Sequence, residues 1–214
     1  MGNKKLKLLV FDCDGVLFDS KQANVEFYNY ILKKAGLSPM SEKDVEFIHM
    51  HTVDECLKYL FRNHPEKLEE AKKIQKETPF SMFFDYMKME KGLREFLEWA
   101  GQRFKIALCT NRTTSTEPLL KHFDLEKYFD YVMCALKVPK SDPRALKLIL
   151  EHFKVTPEET LYIGDSEVDQ NLCSACKVPL VSFKNPELKA DYLVNSYEEL
   201  KELIESEFLK NFSS

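Results

Sequence analysis

Residues 8–20, with the sequence LLVFDCDGVLFDS, constrain the fold of this chain more than any other segment. The apolar run ends abruptly at Asp12, a pattern typical of a buried parallel strand that stops at charge. Residues i and i+2 of a strand point to the same side, so Asp12 and Asp14 face one space if the extended geometry continues, and Gly15 then lets the chain turn away. Two converging carboxylates in poorly hydrated surroundings indicate a site for a divalent cation, and an ordinary Asp-rich turn is the alternative.

The composition narrows the class of protein. The chain has 214 residues, 44% hydrophobic and 31% charged, which suits one large domain or one domain with a smaller companion. A formal net charge of -4 argues against nucleic acid as the main partner. No apolar run reaches the roughly 18 residues that span a bilayer, and the first residues do not resemble a signal peptide. We therefore expect a cytoplasmic protein without a membrane partner.

Six cysteines are scattered along the sequence, mostly in apolar surroundings, as expected for reduced thiols. Cys173 and Cys176 form a C-x-x-C pattern, but they follow a sequence typical of a helix start. Ordinary helix positions are the preferred interpretation of this pair, and a redox or metal-binding role is the alternative.

The character of the sequence changes twice along the chain. Residues 19–90 show helical patterning without a convincing strand, and we expect the apolar patch at 80–87 to form the core of a small bundle. From residue 91 onwards strand and helix patterns alternate, which predicts a parallel sheet covered on both faces. We therefore predict an α/β fold. Residues 1–18 and 91–214 form a Rossmann-like core with helices on both faces, and residues 19–90 form a small α-helical cap domain inserted after the first strand.

Polar residues follow two further predicted strands. Thr110 and Asn111 stand at the end of a strand predicted at 105–110, and Asp165 follows a strand predicted at 161–164. Parallel strands have their carboxyl ends at one edge of a sheet, so we expect these residues near the two carboxylates that follow the first strand.

These segments resemble the motifs of the haloacid dehalogenase superfamily of phosphohydrolases. The matching motifs are D-C-D-G-V-L at 12–17, T-N at 110–111, Lys140 with a proline three residues later, and G-D-S-E-V-D at 164–169. Lys137 is the alternative to Lys140, which the K-x-x-P spacing favours. The position of the helical insertion is similar to that in the subgroup that includes phosphoglycolate phosphatases and β-phosphoglucomutase. Lys177 departs from the family, which more often has Gly after the helix that follows the fourth motif.

The resemblance implies a catalytic role for each motif. Asp12 is the expected nucleophile, and Asp14 the acid and base that protonates the leaving alkoxide and then activates water. Lys140 is expected to place positive charge against the transferring group. The Thr110 hydroxyl and the Asn111 backbone N–H are expected to bind phosphoryl oxygens.

The resemblance also implies Mg²⁺ as the cofactor. Its expected ligands are the carboxylate of Asp12, the main-chain carbonyl of Asp14 and the side chain of Asp165, with Asp169 bound directly or through a water molecule. The expected partner is a small phosphorylated metabolite, handled by a monomer or a homodimer.

The leading functional hypothesis is a Mg²⁺-dependent phosphatase, similar to phosphoglycolate phosphatase, that forms an aspartyl-phosphate intermediate. A phosphomutase similar to β-phosphoglucomutase and a catalytically silent binding protein of the same fold are the alternatives. We expect the cap to select the substrate, with His49 and His51 donating hydrogen bonds to a substrate hydroxyl or carboxylate. Arg112, just past the second core motif, is expected to pair with an anionic substituent. The alternative is that His51 is a surface residue that flanks a helix and that Arg112 is solvated.

Overall fold

A computed structural model describes residues 5–48 and 53–209. Short apolar segments supply its strands, which are β1 (Leu8–Phe11), β2 (Phe18–Asp19), β3 (Lys88–Met89), β4 (Lys105–Thr110), β5 (Tyr131–Cys134), β6 (Thr160–Gly164), β7 (Leu180–Phe183) and β8 (Tyr192–Val194). Six of these described strands form one sheet in the order β5-β4-β1-β6-β7-β8, and every pairing in it is parallel. The parallel sheet and its helices confirm the predicted α/β, Rossmann-like fold class.

The helices alternate with the strands of this sheet, apart from a group that lies between β2 and β3. In that group are α1 (Lys21–Lys34), α2 (Glu42–Ile48), α3 (Val53–Leu60) and α4 (Leu68–Glu77). Later in the chain come α5 (Leu93–Gly101), α6 (Thr116–His122), α7 (Arg144–Phe153), α8 (Glu167–Cys176) and α9 (Tyr197–Ile204). None of the helices in the described ranges combines the length and the apolar character that crossing a bilayer requires.

The chain divides into two units by its contacts. One consists of the chain up to Phe18 together with the chain from Met89 onwards, and the other is Asp19–Lys88. The sequence predicts the second boundary two residues later, after residue 90, and does not predict β2 or β3. These two short strands pair with each other where the chain passes between the units.

Strand β1 lies at the centre of the main sheet. Its residue Val10 is in register with Ala107 of β4 on one side and Tyr162 of β6 on the other. The chain runs from β1 to β4 and β5 on one side and then crosses to β6 on the other side. The carboxyl ends of β1 and β6 therefore meet at the switch point of the strand order, where open α/β sheets bind their ligands.

Alternation along β1 supplies both faces of the core. Leu8 and Val10 belong to a buried cluster that includes residues of α7 and α8. Phe11 faces the other side, where its ring lies 6.0 Å from that of Phe96 in α5, and Phe96 in turn contacts Tyr197 of α9. Helices on both faces remove the strand from water, which explains why its sequence is apolar throughout.

The inserted unit has an aromatic core of its own. Phe27 of α1 packs against Phe80 and Phe83, with ring centroids 5.3 and 5.6 Å apart. The predicted apolar patch forms a 3₁₀ segment, Phe80–Tyr86, in which Met82 is exposed. A 3₁₀ segment distributes successive side chains around its axis, so the patch is buried on one side only.

Candidate active site

Asp12 extends the central strand by one residue beyond β1. Its backbone N–H donates to the carbonyl of Ile163 in β6 at 2.9 Å, and its Oδ1 accepts from the N–H of Cys13 at 2.6 Å. Oδ2 of Asp12 lies 2.8 Å from Nζ of Lys140, and both side chains are buried. Burial raises the pKa of Asp12, and the opposing charge of Lys140 reduces that shift. The sheet and the ion pair together fix the carboxylate in one orientation.

Lys140 reaches the site from the loop between β5 and α7. Its backbone N–H donates to Oδ1 of Asn111 at 2.9 Å, which ties this loop to the end of β4. Burial alone would lower the pKa of Lys140, but Asp12 and Asp169 raise it above its ordinary value. The structure places Lys137 elsewhere, exposed and donating to the carbonyl of Val132 at 2.9 Å.

Asp169 is fully buried at the start of α8 and accepts donors on both carboxylate oxygens. Oδ1 accepts from Nζ of Lys140 and from the hydroxyl of Tyr162, each at 2.8 Å. Oδ2 accepts from the hydroxyl of Ser166 at 2.6 Å and from its backbone N–H at 3.2 Å. Burial alone would raise the pKa of Asp169, but Lys140 and the other donors lower it below its ordinary value.

Tyr162 was not predicted as part of the site. The signal was present in the sequence, because a tyrosine in a buried strand needs a partner for its hydroxyl. Three residues later Asp165 begins the polar segment that could supply one. Ser166 caps α8 by accepting from the N–H of Asp169, the role that the sequence favours for a serine before a helix.

Three carboxylates meet where β1 and β6 end. Asp12, Asp165 and Asp169 each offer a ligand oxygen, and these atoms all lie within 4.8 Å of one another. Burial, with the nearby charge of Asp169, raises the pKa of Asp165 to about 7. The side-chain amide of Asn185 holds the Asp165 carbonyl at 2.7 Å. Lys140 offsets only part of this negative charge, and an all-oxygen donor set is the one that hard divalent cations such as Mg²⁺ require.

Two glycines permit this close approach. A Cβ at Gly15 would lie 1.8 Å from Oδ2 of Asp165, and a Cβ at Gly164 would lie 2.6 Å from Cβ of Asp169. Gly15 also has a φ of +77°, a backbone conformation that residues other than glycine rarely adopt. The glycines of the first and fourth motifs therefore make room for the carboxylates of the fourth.

Asp14 pairs with Arg112 from the loop after β4. The guanidinium Nε donates to Oδ2 at 2.8 Å, and a terminal nitrogen donates to Oδ1 at 2.6 Å. Burial alone would lower the pKa of Arg112, but Asp14 raises it above its ordinary value. A bidentate pair of this kind fixes both the position and the plane of the carboxylate. A contact of Arg112 with a substrate anion stays a prediction.

The remaining predicted site residues differ in how far the structure describes them. Thr110 is buried at the end of β4, where its Oγ1 accepts from the N–H of Arg112 at 3.0 Å. Asn111 is exposed, and its side chain accepts from the backbone N–H of Lys140. His49 and His51 lie outside the described residues.

The six cysteines form no disulfide. Cys173 and Cys176 are buried, and burial raises the pKa of both thiols. A raised pKa keeps a thiol protonated and weakens it as a nucleophile or metal ligand. Ordinary helix positions, the preferred interpretation of the sequence, agree with this environment.

Residues 9–183 match the model of a protein family described as haloacid dehalogenase-like hydrolase. The chain belongs to this family. All the motif residues of this haloacid dehalogenase-like hydrolase, from the first carboxylate to the last, lie inside the matched range.

The curated relatives of this hydrolase include phosphatases. A phosphorylated carbohydrates phosphatase of Thermotoga maritima is 33% identical over 169 residues, which cover 76% of this chain and 77% of the relative. A phosphoglycolate phosphatase of Nitrosococcus oceani is 27% identical, with 83% of this chain and 84% of the relative covered. Together with the family match, they confirm the prediction of a hydrolase that acts on phosphoric monoesters.

Solved structures share the fold over nearly the whole chain. A subfamily IA hydrolase of the haloacid dehalogenase superfamily from Geobacter sulfurreducens superimposes with a TM-score of 0.85 and 37% identity, covering 95% of this chain and 99% of the other. A Thermotoga maritima protein described provisionally as a β-phosphoglucomutase gives a TM-score of 0.79 and 27% identity, covering 94% and 99%.

Proposed function

We propose that this hydrolase is a Mg²⁺-dependent phosphatase that cleaves a small phosphomonoester through an aspartyl-phosphate on Asp12. The observation that carries the proposal is the buried pair of Asp12 and Lys140 beside Asp165 and Asp169. Mg²⁺ held by Asp12, Asp165 and the Asp14 carbonyl, with Asp169 as a direct or water-mediated ligand, would supply positive charge against the phosphoryl oxygens.

In the first half-reaction a carboxylate oxygen of Asp12 attacks phosphorus. The bond from phosphorus to the ester oxygen breaks, and the leaving alkoxide takes a proton from the carboxyl of Asp14. Lys140 reduces the repulsion between the anionic nucleophile and the anionic ester. The Thr110 hydroxyl and the Asn111 backbone N–H stand at the end of β4 as donors for the phosphoryl oxygens.

In the second half-reaction water attacks the phosphorus of the aspartyl-phosphate and gives a proton to Asp14. The bond from phosphorus to Asp12 breaks, so inorganic phosphate leaves and the Asp12 carboxylate is restored. Asp14 returns to its protonated form, ready for the next alkoxide, and each turnover consumes one water molecule.

The relatives and the inserted unit support the proposed substrate class. Phosphorylated carbohydrates and phosphoglycolate, named for two of the relatives, are small phosphomonoesters with polar substituents. The core residues handle only the phosphoryl group, so we assign selection of the rest of the substrate to the insertion, with His49 and His51 as candidate donors. A small phosphorylated metabolite is therefore the proposed partner.

Metal-dependent turnover tests the proposal directly. Hydrolysis of p-nitrophenyl phosphate should stop after treatment with EDTA and return with excess Mg²⁺. Binding of Mg²⁺ to the native state alone should also raise the melting temperature, a readout that does not depend on activity. Turnover that persists in excess EDTA contradicts the metal assignment, and absence of any turnover with Mg²⁺ favours a catalytically silent protein.

The structural neighbour described as a β-phosphoglucomutase favours a phosphomutase as the second candidate. A mutase would convert a hexose 1-phosphate to its isomer without releasing phosphate, whereas a phosphatase releases one phosphate for each substrate consumed. Phosphorus NMR of a hexose 1-phosphate incubation distinguishes the two products. Free phosphate as the main product supports the phosphatase.

A monomer or homodimer in the cytoplasm completes the proposal. Size-exclusion chromatography with light scattering gives the oligomeric state, and fractionation of the source cells gives the location. A larger assembly, or recovery with membranes, contradicts it.

A further inference from the structure

We propose that Arg112 is a positioning residue that holds Asp14 as the proton acceptor for hydrolysis of the aspartyl-phosphate. The inference rests on the proposed function and assigns a new role to a residue of that same site. It differs from the sequence-based expectation that Arg112 binds an anionic group of the substrate.

Arg112 binds both oxygens of the Asp14 carboxylate on its buried side. Nε and a terminal nitrogen of Arg112 each bind a different oxygen of the Asp14 carboxylate, at 2.8 and 2.6 Å. The Arg112 side chain is 8% exposed and that of Asp14 is 39% exposed. The cation is therefore buried behind a carboxylate that solvent can reach.

The framework holds Arg112 through its main chain. The backbone N–H of Arg112 donates to Oγ1 of Thr110 at 3.0 Å, and its carbonyl accepts from the N–H of Ala135 at 3.0 Å. The guanidinium also donates to the hydroxyl of Ser115 at 3.4 Å. The main chain of Arg112 is thus held at the ends of β4 and β5 and its guanidinium beside Ser115, which makes the side chain a fixed support for the carboxylate.

This arrangement suits the second half-reaction in particular. Asp14 must accept a proton from water in that step, and a carboxylate held in one plane presents the same lone pairs in every turnover. The first half-reaction makes no such demand when the leaving group is p-nitrophenolate, which departs as a stable anion without a proton. Loss of Arg112 should therefore slow hydrolysis of the phospho-enzyme much more than its formation from p-nitrophenyl phosphate.

Rapid-quench kinetics with p-nitrophenyl phosphate and Mg²⁺ test the inference. Arg112→Gln removes the positive charge and the two-nitrogen contact with the Asp14 carboxylate. Arg112→Lys keeps the charge but has a single nitrogen for that contact. Arg144→Gln is the matched control, because Arg144 makes a side-chain pair with Asp142 of the same residue types on the surface. Circular dichroism and thermal melts establish which variants fold. If Arg112→Gln does not fold, Arg112→Lys supplies the answer.

We expect kcat of Arg112→Gln to fall by about tenfold or more, with KM falling in parallel because the slow step now follows phosphorylation. A burst approaching one p-nitrophenolate per active site should appear, and labelled phosphate should be recovered on the protein. Arg112→Lys should show a smaller loss, and the control should behave as the wild type.

Two results would overturn the positioning role. A raised KM with unchanged kcat would assign Arg112 to substrate binding. Equal losses in the burst rate and the steady-state rate, with no trapped phospho-enzyme, would leave Arg112 with a structural role only. Failure of the proposed function gives a different signature, since turnover would then survive Asp12→Asn both with Arg112 present and in combination with Arg112→Gln.

Discussion

The hydroxyl of Tyr162 donates a 2.8 Å hydrogen bond to Oδ1 of Asp169, the oxygen that also accepts from Lys140. The hydroxyl lies 3.3 Å from the carbonyl of Cys109 as well, but it has a single proton to donate. Tyr162 stands in the middle of β6 and is completely buried, so this interaction connects the core of the sheet to the polar site at its edge.

Replacing Tyr162 by Phe keeps the ring and removes this hydrogen bond. Asp169 retains Lys140 and Ser166, so the variant should fold, with the free energy of unfolding lower by about 1–3 kcal/mol. Denaturant unfolding measures the loss. Tyr128→Phe is the control, because its hydroxyl binds Glu98 on the surface, and it should lose under about 1 kcal/mol. Equal losses in the two variants would mean that burial adds nothing to the Tyr162 bond.

Replacing Asp12 by Asn keeps the shape of the side chain and removes the nucleophile. Turnover should fall to below a tenth of the wild-type value, since an amide cannot form the phospho-enzyme. The fold should survive because Lys140 keeps its 2.8 Å contact with Asp169. Steady-state assays and melting temperature are measured together. A variant that folds and retains a tenth or more of the activity rules out covalent catalysis through Asp12.

The stability of the metal-free protein should depend on pH through Asp165. Its pKa rises from 3.8 to about 7 on folding, so the native state binds this proton more tightly than the unfolded chain. The stabilisation is fully present below the unfolded value and is lost as pH rises through that window. Thermal melts of the wild type and Asp165→Asn across this pH range check the sign. The wild type should lose melting temperature relative to the variant as pH rises, and a constant difference contradicts the prediction.

Replacing Gly15 by Ala should disrupt the carboxylate cluster, because the added Cβ meets Oδ2 of Asp165 at 1.8 Å. Gly36→Ala is a matched control with a similar φ of +70°, where the nearest atom, Nζ of Lys67, lies 3.9 Å from the added Cβ. The control should lose about 1–2 kcal/mol from backbone strain alone. Gly15→Ala should lose more and should also lose the stabilisation by Mg²⁺ in thermal melts. Identical behaviour of the two variants would show that Asp165 moves aside without cost.

The sequence predicts the core of the fold because buried parallel strands consist of short runs of apolar residues. The strand predicted at 105–110 is β4, Lys105–Thr110, and the apolar run before Asp12 is β1. The end of α8 at Lys177 is also recognisable from the sequence. It follows α8 with a φ of 56°, the left-handed conformation for which the family more often uses Gly.

The sequence does not predict which groups the polar side chains bind. Arg112 and Asp14 are 98 residues apart, and no local pattern shows that their side chains meet. The side chain of Asn111 likewise binds the backbone of Lys140, whereas the sequence suggested only its main-chain N–H. Motif spacing identifies residue types for a reaction, but hydrogen-bond partners depend on how distant loops approach each other.

The pairing of β2 with β3 has a consequence for how such enzymes diversify. Paired strands lie about 4.8 Å apart, so the chain leaves the sheet unit and returns to it at neighbouring points. A segment whose two ends are neighbours can be lengthened, shortened or exchanged for another without any change in the register of the strands that carry Asp12, Thr110 and Asp165. The gene segment for residues 19–88 is thus a natural unit of recombination.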